Sequence, residues 1–293
     1  MLNISTKTKI QAARLVATGF NFARKLSGQD SQLLATRRGL TWALDLNEGI
    51  DFAIYLMGAF EPNTIAAYKR LLKPGDIAID IGANIGAHTL HLAKLVGSEG
   101  RVFAFEPGAD IYQKLKKNQS LNENIANRIE TRQIMLLAED NASLPENIYA
   151  RWPLKSTEAA HPLLRGVAIS TAGARTLTLD TVIAQQELTH IDLIKLDVDG
   201  YEFDVLCGAQ KSVATYKPAI IFEHSPYTSM ERGLKAEAIE ELLQEFGYKF
   251  FNLDGTMYGE DGRNLPTPKT GSSLNVLAIH SDTQPLPLPP FLC

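Results

Sequence analysis

The sequence predicts an α/β protein in which helices cover both faces of a mostly parallel sheet. Short apolar runs rich in β-branched residues alternate with helical patterns along most of the chain. Five such runs read as buried parallel strands. Two further apolar segments, residues 248–253 and 274–279, are joined by a long turn containing glycines. They predict an antiparallel hairpin at one edge, which makes seven strands in all.

The stretch around which the chain is organised is residues 74–90. Its apolar run reaches Asp80 near the carboxyl end of the strand, and Gly82 and Gly86 follow before a helix begins. Glycines at these positions let the backbone turn sharply and approach a ligand. A dinucleotide loop would read G-x-G-x-x-G, but here Asn84 occupies the second glycine position. The loop therefore predicts a cationic amino acid ligand rather than a pyrophosphate, although the fragment alone also fits a plain strand-to-helix turn.

A carboxylate follows at the spacing expected for a ribose ligand. Glu106 comes 20 residues after Gly86, at the end of the second apolar run, residues 101–105. A carboxylate in that place accepts hydrogen bonds from both ribose hydroxyls. An acidic glycine loop followed by a ribose carboxylate predicts an S-adenosylmethionine site.

Length and composition limit the architecture and the partners. The 293 residues, 45% of them hydrophobic, suffice for one large domain with an elaborated end. We predict an N-terminal helical/β extension over residues 1–72, serving as lid and substrate region. A cofactor-binding domain follows over residues 73–281, and a proline-rich tail over 282–293. The net charge of -4 disfavours nucleic acid as a partner.

Cysteine usage and hydropathy predict the compartment. Cys207 and Cys293 are too few for a disulfide framework or a metal cluster. No apolar run reaches spanning length, and basic residues interrupt the N-terminus. We therefore expect a soluble, unexported, cytoplasmic protein; the oligomeric state has no signature in the sequence.

The N-terminal segment has an amphipathic pattern over residues 9–26. The charges before Asp30 are all positive, so residues 7–26 would suit a peripheral contact with an anionic membrane surface. A helix packed on the domain as a lid fits the same pattern, and both interpretations stay open.

The remaining elements follow in order. A strand is predicted over 40–46, a short helix over 48–58 ending at Gly58, and a helix over 62–72. Proline and scattered polar residues predict an irregular loop or small insertion over 139–175. The further helices are predicted over 87–95, 109–121, from 178, after 202 and over 235–246, and the further strands over 102–105, 129–136, 191–196 and 219–224.

A combination of motifs resembles one family of class I S-adenosylmethionine-dependent methyltransferases, the FkbM family. The motifs span residues 37–224 and comprise 75–76, 80–86, 105–107, 179–180, 194–202 and 208–209. The resemblance implies a Rossmann-like class I methyltransferase fold. It also implies O-methylation of a hydroxyl on a sugar, a glycan or glycolipid, or a polyketide-type small molecule. Because some members act on peptides, peptide N-methylation is the alternative within the family.

The resemblance also implies the cofactor residues. Asp80, Gly82, Asn84 and Gly86 would hold the methionine part, and Glu106 with Pro107 the ribose. Ala138 and Glu139, after the third strand, would lie at the adenine pocket. One departure is Asp199, which stands where the family usually has glutamate.

Methyl transfer to an alcohol needs a proton acceptor. Asp197, after the fourth strand, is the first candidate, and it is equally suited to the ammonium group of the cofactor. His224, after the fifth strand, is the second candidate. Tyr55 and Glu61 precede the glycine loop and would close over cofactor or substrate together with Asp199, or else serve packing and helix capping.

Three alternatives of other kinds remain. Asp197, Asp199 and Glu223 could offer oxygen ligands to a divalent cation, but no spacing fixes an octahedral site, so we expect no metal. An NAD-dependent oxidoreductase of related fold is disfavoured by Asn84 in the glycine pattern. A noncatalytic binding domain could use the same fold.

Overall fold

The computed structural model describes residues 26–154, 166–269 and 272–283, together with Val16, Gly19, Phe20 and Arg24. Most of the predicted helix over residues 9–26 and of the tail from residue 284 onward lies outside the described residues. No helix in the described ranges is both long and apolar enough to cross a bilayer.

The N-terminal part forms a hairpin and two helices. β1 (Gln32–Arg37) pairs antiparallel with β2 (Leu40–Asp45). α1 (Gly49–Met57) ends at Gly58, whose φ of 81° closes the helix in the left-handed conformation. α2 (Pro62–Leu71) begins with proline in its first turn, where the missing N–H costs nothing. Only β1 was not predicted here.

The main sheet has seven strands, which confirms the predicted α/β fold. Its strands are β3 (Ile77–Ile81), β4 (Arg101–Phe105), β5 (Ile129–Arg132), β10 (Leu193–Leu196), β11 (Ala219–His224), β12 (Tyr248–Phe251) and β13 (Leu274–His280). The spatial order is β12-β13-β11-β10-β3-β4-β5, and β13 runs antiparallel to both of its neighbours. The predicted hairpin therefore does form the edge of an otherwise parallel sheet.

The order in which successive strands are added to the sheet changes direction between β3 and β10. The chain builds outward from β3 to β5, and later from β10 towards the hairpin. In the parallel pair at this switch point, Lys195 lies opposite Asp80. Ligands of open α/β sheets bind at such a point, beyond the carboxyl ends of the strands.

The described parts of the region over 139–175 contain short strands, which agrees with the small insertion rather than with the irregular loop among the two predicted alternatives. β7 (Asn147–Arg151) and β8 (Val167–Ser170) form an antiparallel hairpin, and β6 (Ile134–Leu136) pairs with β9 (Arg175–Leu177). The prediction of one strand over 129–136 is wrong, because β5 and β6 belong to different sheets. Short, half-exposed strands bury too few residues to produce a clear alternation in the sequence.

The helices pack on both faces of the sheet. They are α3 (Thr89–Leu95), α4 (Ala109–Ser120), α5 (Glu123–Ala126), α6 (Leu179–Ala184), α7 (Glu202–Cys207), α8 (Gln210–Tyr216), α9 (Pro226–Glu231) and α10 (Ala238–Glu245). Successive residues of β3 face opposite sides, so Ile79 joins one hydrophobic cluster and Ala78 the other. The cluster with Ala78 extends to Trp42 and Tyr68 and thus includes the N-terminal part.

Two asparagines of the α4 region attach the N-terminal hairpin to the domain. The Asn118 side chain accepts from Ala43 N (2.8 Å) and donates to Ile85 O (2.8 Å). Asn122 makes the corresponding pair of bonds with Thr41, accepting from its N at 2.8 Å and donating to its O at 2.7 Å. These amides satisfy the free edge of β2, which otherwise would carry unpaired buried backbone groups.

Candidate active site

Asp80 lies beneath the glycine loop rather than on its surface. Its side chain is fully buried, and Oδ2 accepts a 2.6 Å hydrogen bond from Thr89 Oγ1. Oδ1 lies 3.7 Å from Lys195 Nζ. Burial raises the pKa of Asp80, and the nearby Lys195 opposes that shift. Asp80 therefore positions Thr89 and Lys195 beneath the loop, and its predicted role at the methionine part of the cofactor stays a prediction.

Gly82 brings the loops after β3 and β10 into contact. Its φ is 79°, and a Cβ at this position would lie 1.8 Å from the carbonyl oxygen of Asp197. The Gly82 carbonyl accepts a 3.1 Å hydrogen bond from Lys195 Nζ. Only glycine fits here, because both the conformation and the approach exclude a side chain.

Asn84 and Gly86 complete the turn. Asn84 adopts a φ of 49°, and its Nδ2 donates to Ala150 O of β7 at 3.0 Å. Gly86 has a φ of 90°, and a Cβ there would lie 2.9 Å from Leu115 of α4. Asn84 thus ties the β7–β8 hairpin to the glycine loop, a link that the sequence does not predict.

Glu106 is held by two backbone amides. Its Oε2 accepts from Asn84 N (2.9 Å) and its Oε1 from Gly108 N (2.8 Å). The side chain is buried, and this burial raises its pKa to about 7 although both amides oppose the shift. Pro107 is buried beside it. The carboxylate lies directly against the glycine loop, as the motif spacing predicts.

The residues predicted for the adenine pocket line a cavity. Ala138 and Glu139 contribute to a cavity of about 450 Å³ together with Leu137, Pro145 and Tyr201. The guanidinium of Arg232 lies 3.6 Å from the centre of the Tyr201 ring in the same wall. Tyr201 and Arg232 have no predicted role in the sequence, since they come from other parts of the chain.

Lys195 is the buried cation of the site. Its Nζ lies 3.2 Å from Asp197 Oδ2. Burial alone would lower the pKa of Lys195, but the carboxylates of Asp197, Asp80 and Glu61 outweigh burial and raise it. No role for this residue follows from the sequence, although a lysine within a buried apolar strand is an unusual feature that signals a paired charge.

Glu61 reaches the same cluster from the N-terminal part. It precedes α2 with a φ of 47°, and its Oε2 accepts from Thr64 Oγ1 (3.1 Å) and from Asn275 Nδ2 (2.7 Å). Burial, followed by the Asp197 charge, raises the pKa of Glu61. The same oxygen lies 3.6 Å from Nε2 of the buried His88. Residues from α2 and β13 thus hold a carboxylate that interacts electrostatically with Lys195 and Asp197.

Asp199 and Glu223 add two more carboxylates. One oxygen each of Asp197, Asp199 and Glu223 lies within 4.8 Å of the others. Burial and the neighbouring negative charges raise the pKa of both Asp199 and Glu223. Such oxygens are the ligand type of hard divalent cations. The expectation that no metal is needed stays a prediction.

Glu202 orders the turn that presents this cluster. Its carboxylate accepts hydrogen bonds from Val198 N (2.9 Å) and Gly200 N (3.0 Å). Burial raises its pKa to about 7. Glu202 is thus occupied by the backbone at the start of α7.

Two predicted residues lie elsewhere. The His224 side chain is 3.6 Å from Glu240 Oε1 and packs edge-on against Phe222. Because neighbouring residues of a strand face opposite sides, His224 does not share the face of Glu223. The Arg37 guanidinium lies over the Tyr55 ring, 4.3 Å from the centre of that ring. Neither placement brings these side chains to Asp197.

A larger cavity lies beside the glycine loop. Its volume is about 580 Å³, and its walls come from β1, β2, α1, α4 and β7, with Asn84 shared with the loop. Both the N-terminal part and the segment over 139–175 therefore contribute to it. A cavity of this size suits a small molecule.

The family follows from a match that includes most of this site. A family model described as "Methyltransferase FkbM domain" matches residues 80–250, from Asp80 in β3 into β12. This range holds Glu106, Lys195 and the three clustered carboxylates. The chain belongs to the FkbM methyltransferase family. The resemblance inferred from the motifs is confirmed.

Two curated relatives of this FkbM methyltransferase have informative names. "AMB antimetabolite synthetase AmbE" of Pseudomonas aeruginosa is 28% identical over 231 residues, covering 69% of this chain and 11% of that protein. "Hexuronic acid methyltransferase AglP" of Haloferax volcanii is 25% identical over 188 residues, covering 63% of this chain and 68% of that protein. The chain thus spans about one tenth of AmbE and two thirds of AglP.

Solved structures include another FkbM methyltransferase. "Methyltransferase FkbM" from Methylobacillus flagellatus is 14% identical with a TM-score of 0.42, covering 80% of this chain and 61% of that chain. A "SAM-dependent O-methyltransferase" from Thermotoga maritima is also 14% identical with a TM-score of 0.42, covering 85% and 86%. The strand order of the sheet, rather than these distant likenesses, defines the fold of this protein.

Proposed function

We propose that this protein is an S-adenosylmethionine-dependent O-methyltransferase acting on a hydroxyl of a sugar, a glycan or a similar hydroxylated small molecule. The observation that supports this best is the position of the Glu106 carboxylate, held against the glycine loop at the switch point of the sheet. A buried cation and several carboxylates lie at the adjoining strand. This arrangement suits a cofactor with a ribose and an amino acid end.

The residues present fit the proposed cofactor. Each Glu106 oxygen accepts one backbone amide and retains a second lone pair that can accept a ribose hydroxyl. Glycine at position 82 leaves the backbone bare beside Asp197. We assign the adenine to the cavity containing Ala138 and Glu139, and the ammonium group to the carboxylates around Lys195.

The chemistry asked of the protein is modest. S-adenosylmethionine supplies a methyl group that its sulfonium charge already activates. The protein orients the acceptor and excludes water, and oriented binding can contribute about 7–11 kcal/mol. We assign removal of the acceptor proton to Asp197, with its ammonium-binding role as the alternative. Glu61, positioned by Asn275 and Thr64, would orient the acceptor from the other side.

We assign recognition of the part of the acceptor beyond the reacting hydroxyl to the cavity of about 580 Å³, whose walls include Asn84 of the glycine loop but neither Asp197 nor Glu61. The predicted substrate region, residues 1–72, and the segment over 139–175 both supply its walls. The name of AglP, a hexuronic acid methyltransferase, favours a sugar-type acceptor. Because the cavity combines apolar side chains such as Ile50 with Lys114 and Asp51, a hydroxylated ligand with one apolar face would fit.

Isothermal titration with S-adenosylmethionine, and separately with NADH, tests the cofactor. We expect S-adenosylmethionine alone to bind, and its affinity to fall at least about tenfold in Glu106→Ala. The variant loses two hydrogen bonds from the ribose hydroxyls to a charged carboxylate, which together contribute more than the about 1.4 kcal/mol that corresponds to a tenfold change in affinity. The control Glu99→Gln changes an exposed carboxylate away from the site and should bind like the wild type. NADH binding, or equal affinities for all three proteins, would overturn the assignment.

A further inference from the structure

We propose that this protein docks on an anionic lipid membrane through one surface, the α1 patch. It consists of two exposed apolar residues and the cations around them: Leu56, Met57, Arg37, Arg38 and Lys94. The proposal concerns where the enzyme works and stands independently of its methyl donor.

The apolar part of the patch is the end of α1. Leu56 and Met57 are 63% and 49% exposed, whereas Phe52 and Ile54 of the same helix are buried. Among the described residues, the large exposed apolar side chains concentrate in the N-terminal part: Val16, Leu26, Leu34, Leu56 and Met57, with only Met230 and Met257 elsewhere. Adjacent exposed apolar side chains of this kind mark an interaction surface.

The cations are fixed around this apolar pair. Arg38 Nη2 donates to Met57 O at 3.3 Å, and Lys94 Nζ donates to Arg38 O at 2.8 Å. Arg37 Nε donates to Tyr55 O at 2.6 Å, one residue before Leu56. In the described ranges, none of the three cations forms an ion pair with a carboxylate. Their charge is therefore available to an external anion, in a protein whose net charge is -4.

The buried His91 is affected by the same positive charges. His91 lies behind the patch, and burial lowers its pKa to about 4, with Lys94, Arg38 and Lys69 adding to the shift. Lys69 of α2 thus extends the positive surface beyond the patch. Lys94, Arg38 and Lys69 thus act on the same buried site, and clustered cations of this kind attract anionic headgroups.

The N-terminal segment adjoins the patch. The Phe20 ring lies 5.5 Å from the Tyr55 ring, next to Leu56. Val16 is 52% exposed near it in sequence. Through Phe20, the described part of the N-terminal segment contacts the residue that precedes Leu56.

The combination of groups favours a membrane over nucleic acid. Cations alone would suit phosphates of either kind. Exposed leucine and methionine side chains contribute favourable binding free energy only when binding removes them from water. The boundary between headgroups and acyl chains provides such an environment. Basic residues near that boundary then pair with anionic lipids. The α1 patch supplies both contributions, with the apolar pair at the end of α1 and the cations from β1, the β1–β2 turn and α3.

Vesicle flotation of the full chain tests the proposal. The vesicles contain phosphatidylcholine alone or mixed with phosphatidylserine. We expect binding that requires phosphatidylserine, weakened at least about fivefold in each of Arg38→Glu and Lys94→Glu and further in the double variant, since each cation contributes about 1 kcal/mol and each new carboxylate adds repulsion. The double variant Leu56→Ser/Met57→Ser should also bind less, because it removes the apolar contact.

Matched controls separate docking from folding and from charge in general. Lys211→Glu/Lys269→Glu makes the same charge change at exposed lysines outside the patch and should float like the wild type. Titration with S-adenosylmethionine on every variant reports the cofactor site separately, so either proposal can fail alone. Absence of flotation, or an equal loss of flotation in patch and control variants, would overturn membrane docking. The same conclusion would follow if the protein bound a single-stranded oligonucleotide as tightly as it binds the phosphatidylserine vesicles.

Discussion

At the scale of single residues, Glu106 is a buried carboxylate that we propose accepts the ribose hydroxyls of the cofactor. Its pKa is raised from 4.5 to about 7, mainly because burial disfavours the charged form. The folded state therefore holds a proton that the unfolded state releases between these values. In the cofactor-free protein, the contribution of Glu106 to stability is lost as the pH rises from about 4.5 through about 7.

The variant Glu106→Gln tests the direction of this pH dependence of stability. Between pH 4.5 and 7.5, the free energy of unfolding of the wild type should fall relative to that of the variant. Urea unfolding at several pH values gives the difference, and Glu99→Gln serves as control. Any constant offset between the proteins is irrelevant to the test. Parallel curves for wild type and Glu106→Gln would show that folding does not raise the pKa of this group.

Gly82 provides a second residue-level prediction. Gly82→Ala places a Cβ 1.8 Å from the Asp197 carbonyl in a backbone with φ of 79°, so we expect destabilisation by at least about 3 kcal/mol. Gly75→Ala is the matched control: its φ is 96°, but nothing lies within 4 Å of its Cβ. It should cost only about 1–2 kcal/mol from the conformation. Equal losses in urea unfolding would mean that the contact with Asp197 does not matter.

At the scale of elements, the asparagines beside β2 decide how the N-terminal hairpin is attached. Asn118→Ala leaves Ala43 N and Ile85 O without their partner in a buried place, which should cost about 2–3 kcal/mol. Urea unfolding measures this loss. Asn124→Ala, at an exposed position of α5, should change stability little. A similar small effect for Asn118→Ala would indicate that water satisfies the β2 edge.

The strands and helices differ in how well their sequences predict them. β3, β4 and β11 are buried runs bounded by turn residues, and α6 is capped at its N-terminus by Thr178, whose Oγ1 accepts from Thr181 N at 3.0 Å. These signals are local and visible in the chain. The β7–β8 hairpin has no such signal, because its contacts with Asn84 and with the cavity come from distant segments.

At the scale of the whole molecule, cofactor binding should stabilise the protein as a unit. S-adenosylmethionine at about one hundred times its dissociation constant should raise the free energy of unfolding by about 2.7 kcal/mol. NADH at the same concentration should leave it unchanged. Urea unfolding with each compound measures both effects. Stabilisation by NADH would favour the oxidoreductase alternative.

The sequence by itself determined the α/β fold, the glycine turn after β3 and the carboxylate that follows β4. These depend on residue types within short windows, where apolar periodicity, glycine conformation and motif spacing act directly. Tertiary structure decided the rest of the candidate site. Glu61 and Asn275 are 214 positions apart yet share a hydrogen bond, and Lys195 joins Asp80 to Asp197 across two strands. Such pairs form because the sheet brings distant segments together, and no local pattern records which segments will meet.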